Sequence, residues 1–240
     1  MITLHKYVPF GDTPDMSPFC IKMETYLRMT KRAYVTKVGD PRRSPKGKLP
    51  VVEIDGQLLA DSRFIIEHLE AKGDALDVHL DAKQRALTTA VRSMIEEHLY
   101  WIAVYFRWKD DAAWAKYRPV FDRYAEETKT PKLALPFVVP FIRRDMLRAM
   151  HAQGSGRHGR EEIAKIGQDI IDAVAELMGD GPFFFGEQPS TIDATLYGFF
   201  ASLLHAGLDS PLVEHARTRP NVTAYVDRMK ARYWADPRSA

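Results

Sequence analysis

The sequence predicts an α/β domain over residues 1–76 followed by an all-helical domain over residues 82–240. Three observations carry this. The first 38 residues read strand, helix, strand, which demands a parallel pair. Two short apolar runs joined by Asp55-Gly56 then read as an antiparallel hairpin. From Ala82 onward the apolar residues recur at helical spacing. The expected sheet is mixed and four-stranded, with helices packed on it.

The elements follow in order. Ile2 to Tyr7 alternates apolar and polar residues, as a short strand does. Pro9 to Met16 is a loop rich in Pro, Gly and Asp. Ser17 suits an N-cap and Pro18 the first helical position, where a missing N–H costs nothing. Phe19, Met23, Tyr26 and Leu27 make one apolar stripe on that helix, and Ala33 to Val38 is the second strand. Asp40 to Lys48 is a basic loop carrying Arg42, Arg43, Lys46 and Lys48, with Pro41 and Pro45 opposing a helix there. Leu49 to Ile54 and Gln57 to Ala60 form the hairpin, with Pro50 tolerated only at the head of its strand. Asp61-Ser62 caps the next helix, whose apolar residues are Phe64, Ile65 and Leu69.

In the remainder, Leu87, Val91, Met94 or Ile95, Leu99, Ile102 and Tyr105 or Phe106 trace one long amphipathic helix. Trp114, Tyr117, Val120, Phe121 and Tyr124 trace another, and Thr130 to Pro140 reads as a connection broken by proline. Ile163, Ile166, Ile170, Val174 and Leu177 give a further stripe. Ser190-Thr191-Ile192-Asp193 resembles a capping box and opens a buried helix over Leu196 to Leu204; Val222 to Trp234 adds one more.

Composition removes several function classes. The chain has 240 residues, 45% hydrophobic and 28% charged, as ordinary globular proteins do. A net charge of +2 argues against nucleic acid as the main partner. One cysteine allows no intrachain disulfide and fits a reducing, cytoplasmic setting. No signal peptide or membrane anchor is expected: Leu133 to Ile142 is short and carries two prolines, and Arg228 to Ala240 is polar and basic. The eight histidines lack ligand spacing, so no metal is expected, and the loop Gly154 to Gly159 lacks the Lys-Ser/Thr of a phosphate loop.

Chemistry points to the start of the first helix. The Ser17 hydroxyl and the Cys20 thiol share its first turn, where free N–H groups and the helix dipole favour negative charge. A thiolate, the protein's own or a ligand's, is stabilised there. The plain alternatives are a cap for Ser17 and a packed small hydrophobe for Cys20.

Three pieces in this order resemble the glutathione transferases: Ser17-Pro18-Phe19-Cys20, Lys48-Leu49-Pro50-Val51, and Asp61-Ser62. Glu24 to Met29, Ser44 to Pro50 and the run Glu96-Glu97-His98-Leu99-Tyr100-Trp101 are similar to the branch of failed axon connections, cadmium-responsive and metaxin-like proteins. The resemblance implies a thioredoxin-like first domain and glutathione as co-substrate. It implies a cis Pro50 that leaves the Leu49 backbone free for the cysteinyl unit. Asp61 would take the γ-glutamyl ammonium, Ser62 and the helix start its carboxylate, and Lys48 the glycyl carboxylate. Ser17 would donate to the glutathione thiolate, with Cys20 or Tyr7 as other candidates for thiol activation. A homodimer and a small-molecule electrophile are the implied partners. Ser190 and Asp193 read as folding determinants, and Glu96-Glu97 as part of an interdomain or intersubunit network. Two rivals stand beside conjugation: a non-catalytic metaxin-like interaction module, and a redox enzyme using Cys20.

Overall fold

Asp55 and Gly56 both lie in the left-handed region, with φ of 53° and 78°. That turn suits the right-handed twist of a hairpin and joins β3 (Val51–Ile54) to β4 (Gln57–Ala60). In this computed structural model, residues 1–73 and 75–235 are described. Asp74 and residues 236–240, the end of the basic C-terminal stretch, lie outside them. β1 (Ile2–Lys6) runs parallel to β2 (Tyr34–Val38) and antiparallel to β3, giving the sheet order β2-β1-β3-β4. The register pairs Leu4 with Thr36 on one side and Val52 on the other. The mixed four-stranded sheet expected from the sequence is present. The basic loop after β2 contains only a short 3-10 turn, Pro41–Arg43, held by Asp40 accepting from the Arg42 N–H.

α1 (Pro18–Met29) is buried nearly all round, including Lys22, Glu24, Thr25 and Arg28. The single stripe expected from the sequence describes only its sheet side. Its other side lies against α9 (Thr191–Leu204), and Gly198 permits the crossing. A Cβ there would come within 2.7 Å of the Pro18 carbonyl oxygen and 2.8 Å of the Lys22 nitrogen. α2 (Ser62–Glu70) buries Ile65, Ile66 and Leu69, but Phe64, expected on the apolar face, is 53% exposed.

The helical part begins with α3 (Ala82–Ser93), whose N-cap Asp81 forms a reciprocal box with Gln84. The expected continuous helix to Phe106 is interrupted by a π-helical turn over Met94–Leu99 before α4 (Tyr100–Trp108) resumes. The aromatic stripe beyond it splits into α5 (Asp111–Tyr117) and α6 (Val120–Glu127) around Pro119. α7 (Leu135–Gln153) corrects the reading of a broken connection: it runs through Pro136 and Pro140. Both prolines fall in its first two turns, where few intrahelical N–H bonds are lost. α8 (Arg160–Met178), α9, α10 (Pro211–Arg217) and α11 (Pro220–Tyr233) complete the chain. One contiguous apolar cluster joins the inner faces of the sheet, α1, α9 and the helices around them. Among the described residues no helix is long and apolar enough to cross a membrane, and no group of His, Cys, Asp and Glu could hold a metal ion.

Candidate functional site

Ser17 has the extended backbone of an N-cap, φ −107° and ψ 123°, but its side chain makes no capping bond. Its own N–H donates to Asp15 Oδ1 at 2.8 Å, so the loop carboxyl fixes how the chain enters α1. Pro18 has no N–H, and the N–H groups of Cys20 and Ile21 both bond to the Ser17 carbonyl at 3.1 Å. The half-buried Ser17 hydroxyl is thus left without a backbone duty at the positive end of the helix dipole. It lies within hydrogen-bond reach of the Cys20 sulfur.

Cys20 itself is sealed. It has no exposed surface and packs against Tyr7, Leu49, Val51 and Ala60. Burial pushes the thiol well above its ordinary value, and the nearby Asp15 adds to the shift. A protonated thiol without access meets no substrate, so the geometry opposes the catalytic reading of Cys20. Tyr7 fares no better as an activator. Burial raises its phenol far above the usual range, Cys20, Tyr124 and Asp15 adding to it, and its ring leans on Tyr124 at 5.7 Å.

Sequence reasoning missed Asp15. It is 1% exposed, and no hydrogen-bond partner reaches Oδ2 among the described residues. Burial pushes its pKa up to about 8, against the pull of Lys6 and the Ser17 N–H. An orphaned buried oxygen is uncommon in folded proteins and marks this loop as a place to look for function.

The other expected ligand-binding groups lie before β3 and at the start of α2. Cys20 and Leu49 are in one buried cluster, which sets the first turn of α1 against the chain before β3. The Leu49–Pro50 peptide is cis, as the resemblance implies. Both ladders of β3 begin at Val51, paired with His5 and Ala60, so Leu49 lies outside the strand register. Asp61 caps α2 with φ of 82°, a strained value for a residue with a Cβ. Its Oδ1 accepts from the Arg63 N–H at 3.0 Å, and its Oδ2 pairs with Lys46 at 3.5 Å. Lys46 also sits over the exposed Phe64 ring at 4.3 Å. Lys48 is exposed and has no ion pair among the described residues. Ser62 is 3% exposed, and its hydroxyl oxygen accepts from the buried Lys22 ammonium at 3.1 Å. Lys22 was also missed; only its place between Ile21 and Met23 on a helix buried nearly all round could have signalled it.

Lys22 in turn pairs with Glu96 at 2.6 Å, so one member of the Glu96-Glu97 pair joins α1 to the π-helical turn. Glu97 is exposed. α6 reaches the loops that follow β1 and β2. The Tyr124 hydroxyl donates to the Gly39 carbonyl at 2.6 Å and Arg123 to the Pro9 carbonyl at 3.0 Å. Tyr117 is buried among Phe10, Trp108, Trp114 and Phe121. The half-buried Tyr124 is the ring beside Tyr7.

Comparison with known proteins bears on the family and the fold. Residues 18–113 match the model of the glutathione S-transferase N-terminal domain, and residues 167–229 that of the C-terminal domain. An isoprene-epoxide–glutathione S-transferase of Rhodococcus sp. is 36% identical over 97% of this chain and 99% of its own length. Failed axon connections of Drosophila melanogaster is 34% identical over 98% of this chain, which spans 59% of that protein. Metaxin-1 of Macaca fascicularis is 29% identical over 88% of this chain and 68% of its own length. Among solved structures, a beta-etherase of Sphingobium sp. superposes with a TM-score of 0.64 at 15% identity, covering 96% of this chain and 95% of the other. A glutathione S-transferase of Methylobacterium radiotolerans in complex with glutathione sulfonate gives 0.59 at 18% identity, covering 96% and 91%. With a mixed sheet and a helical remainder in the expected order, and both family models matched, the chain belongs to the glutathione S-transferase family, in the branch that holds Failed axon connections and the metaxins.

Proposed function

We propose that the chain binds glutathione across the starts of α1 and α2 and adds its sulfur to a small electrophile. One observation carries this reading: the Ser17 hydroxyl, free of capping duty, stands at the start of α1, the helix whose Cys20 packs on Leu49 and whose Lys22 bonds Ser62 at the start of α2. The peptide backbone of glutathione would pair with Leu49 as an added strand. Its γ-glutamyl carboxylate would sit at Ser62 and the first N–H groups of α2, and its ammonium would replace Lys46 at Asp61. The exposed Lys48 is the cation offered to the glycyl carboxylate.

Ser17 would then donate to the sulfur and favour the thiolate over the thiol. The thiol proton passes to solvent; the thiolate attacks a carbon of the electrophile, and as the C–S bond forms the C–O bond of an epoxide ring breaks, its oxygen keeping the electron pair, staying on the product and taking a proton from solvent. The relative acting on isoprene epoxide makes a small epoxide the first electrophile to offer. Cys20 takes a packing role in this account, because burial keeps its thiol protonated. Ser17→Ala should lower the conjugation rate about 100-fold while glutathione affinity changes less than about threefold, since one preorganised donor to a reacting anion has that order of effect. Equal losses in rate and affinity would remove the role assigned to Ser17.

A non-catalytic interaction module is the second reading. The observation favouring it is the exposed apolar face of α7, with Phe137 and Phe141 and the preceding Leu133 one turn apart. Such a face marks a protein contact. It would equally serve the homodimer that the family resemblance implies.

A further inference from the structure

Lys22 sits in the middle of α1 with its side chain 1% exposed. A methionine would fill the same volume without taking a charge out of water. Yet two other elements each supply a group to this ammonium. The hydroxyl oxygen of Ser62, at the start of α2, accepts from it at 3.1 Å. Oε1 of Glu96, in the helical part, accepts at 2.6 Å. Glu96 is in the π-helical turn, where the extra residue per turn changes which side chain faces α1; its neighbours Glu97 and His98 are exposed. Burial and the nearby Arg92 pull the lysine pKa down, and Glu96 holds it up.

The chemistry of an ammonium decides what Ser62 can do. Lys22 only donates, so the Ser62 oxygen meets it with a lone pair. The hydroxyl proton is therefore directed away from Lys22, and no protein group among the described residues receives it. A hydroxyl fixed in that sense, beside the orphan N–H groups of a helix start, is a donor set for a carboxylate. The positive charge directly behind it strengthens the same preference.

We propose that Lys22 and Glu96 are positioning residues for the γ-glutamyl carboxylate: Lys22 holds Ser62 as a donor to it, and Glu96 anchors Lys22 from the helical half. This rests on the glutathione-binding reading above and extends it to substrate choice. The protein would select γ-glutamyl thiols by their α-carboxylate, and the helical part would control that selection from outside the sheet-bearing part.

The test compares glutathione with 4-aminobutanoyl-cysteinyl-glycine, which lacks only that carboxylate, by calorimetric titration. The proteins are the wild type, Ser62→Ala and the double variant Lys22→Met/Glu96→Gln, which removes both buried charges together. The ratio of the two Kd values measures what the carboxylate contributes. In the wild type glutathione should bind at least about 10-fold tighter than the analogue, as a charge-assisted hydrogen bond allows. In Ser62→Ala and in the double variant the ratio should fall towards one through weaker glutathione binding, with the analogue unchanged. A wild-type ratio in a folded double variant would overturn the proposal and leave Lys22–Glu96 as a tie between helices. If the double variant does not fold, Glu96→Gln alone should lower the ratio about threefold, and an unchanged ratio there is equally decisive. The site reading fails separately, and takes this proposal with it, if the wild type binds neither ligand or binds both alike.

Discussion

α1 and α9 pack against each other, and each begins with a serine in extended backbone beside a buried aspartate. At the start of α9 every oxygen is used. Asp193 accepts from the Phe184 and Ser190 N–H groups at 2.8 Å each, from the Ser190 hydroxyl at 3.0 Å, and from the Tyr225 hydroxyl at 3.1 Å. At the start of α1 the count does not close. Asp15 takes the Ser17 N–H and leaves Oδ2 bare, and the Ser17 side chain caps nothing. Burial raises both carboxyl pKa values; side-chain hydroxyl donors oppose it only at Asp193, while Asp15 has backbone N–H groups and the nearby Lys6. The difference separates two uses of one local pattern. A helix start whose polar groups are all paired serves the fold, whereas at α1 the half-buried Ser17 hydroxyl has no capping duty.

The comparison breaks first at α9. Asp193→Ala takes the acceptor from the Phe184 and Ser190 N–H groups and the Ser190 hydroxyl, the Tyr225 hydroxyl keeping the Asp193 carbonyl, and should destabilise the protein by about 3–5 kcal/mol in urea unfolding. A loss below about 1 kcal/mol would mean that the paired start is not what holds α9. Next comes the crossing itself. Gly198→Ala sets a methyl against the Pro18 carbonyl and the Lys22 nitrogen, so it should cost about 1–3 kcal/mol and weaken glutathione binding by moving α1. Unchanged stability would mean that the two helices separate without resistance.

The smallest effect sharpens the contrast at α1. Asp15 holds a proton in the folded protein up to about pH 8, whereas the unfolded chain loses it near pH 4. Its raised pKa favours the fold at low pH, and that contribution is lost as pH rises from about 4 through about 8. Asp15→Asn does not titrate, so its melting temperature should gain on the wild type across that window. Parallel melting curves against pH would show that the Asp15 carboxyl is not held protonated.

What the sequence made legible was local. Asp55-Gly56 announces its turn because both positions need left-handed backbone, and Ser190 and Asp193 announce theirs by spacing alone. The cis Pro50 and the order of the ligand-binding pieces came with the family resemblance. What escaped depends on partners far along the chain. Lys22 meets Glu96 across 74 positions, and no periodicity encodes that pairing. Asp15 looked like one polar residue in a polar loop until burial singled it out. Cys20 and Ser17 stand three residues apart with equal claims as sequence, and only packing against Leu49 and Val51 separates the sealed group from the open one. Proline was weighed too heavily at 136 and 140, where the first turns of α7 tolerate it.

The central claim is that the open start of α1 and the neighbouring start of α2 together hold glutathione. Calorimetric titration of glutathione into the wild type and into Ser62→Ala tests it most directly. The account predicts a single site in the wild type, weakened about 10-fold or more in the variant through loss of a charge-assisted bond. Equal affinity in the two proteins, or no heat in either, would contradict it.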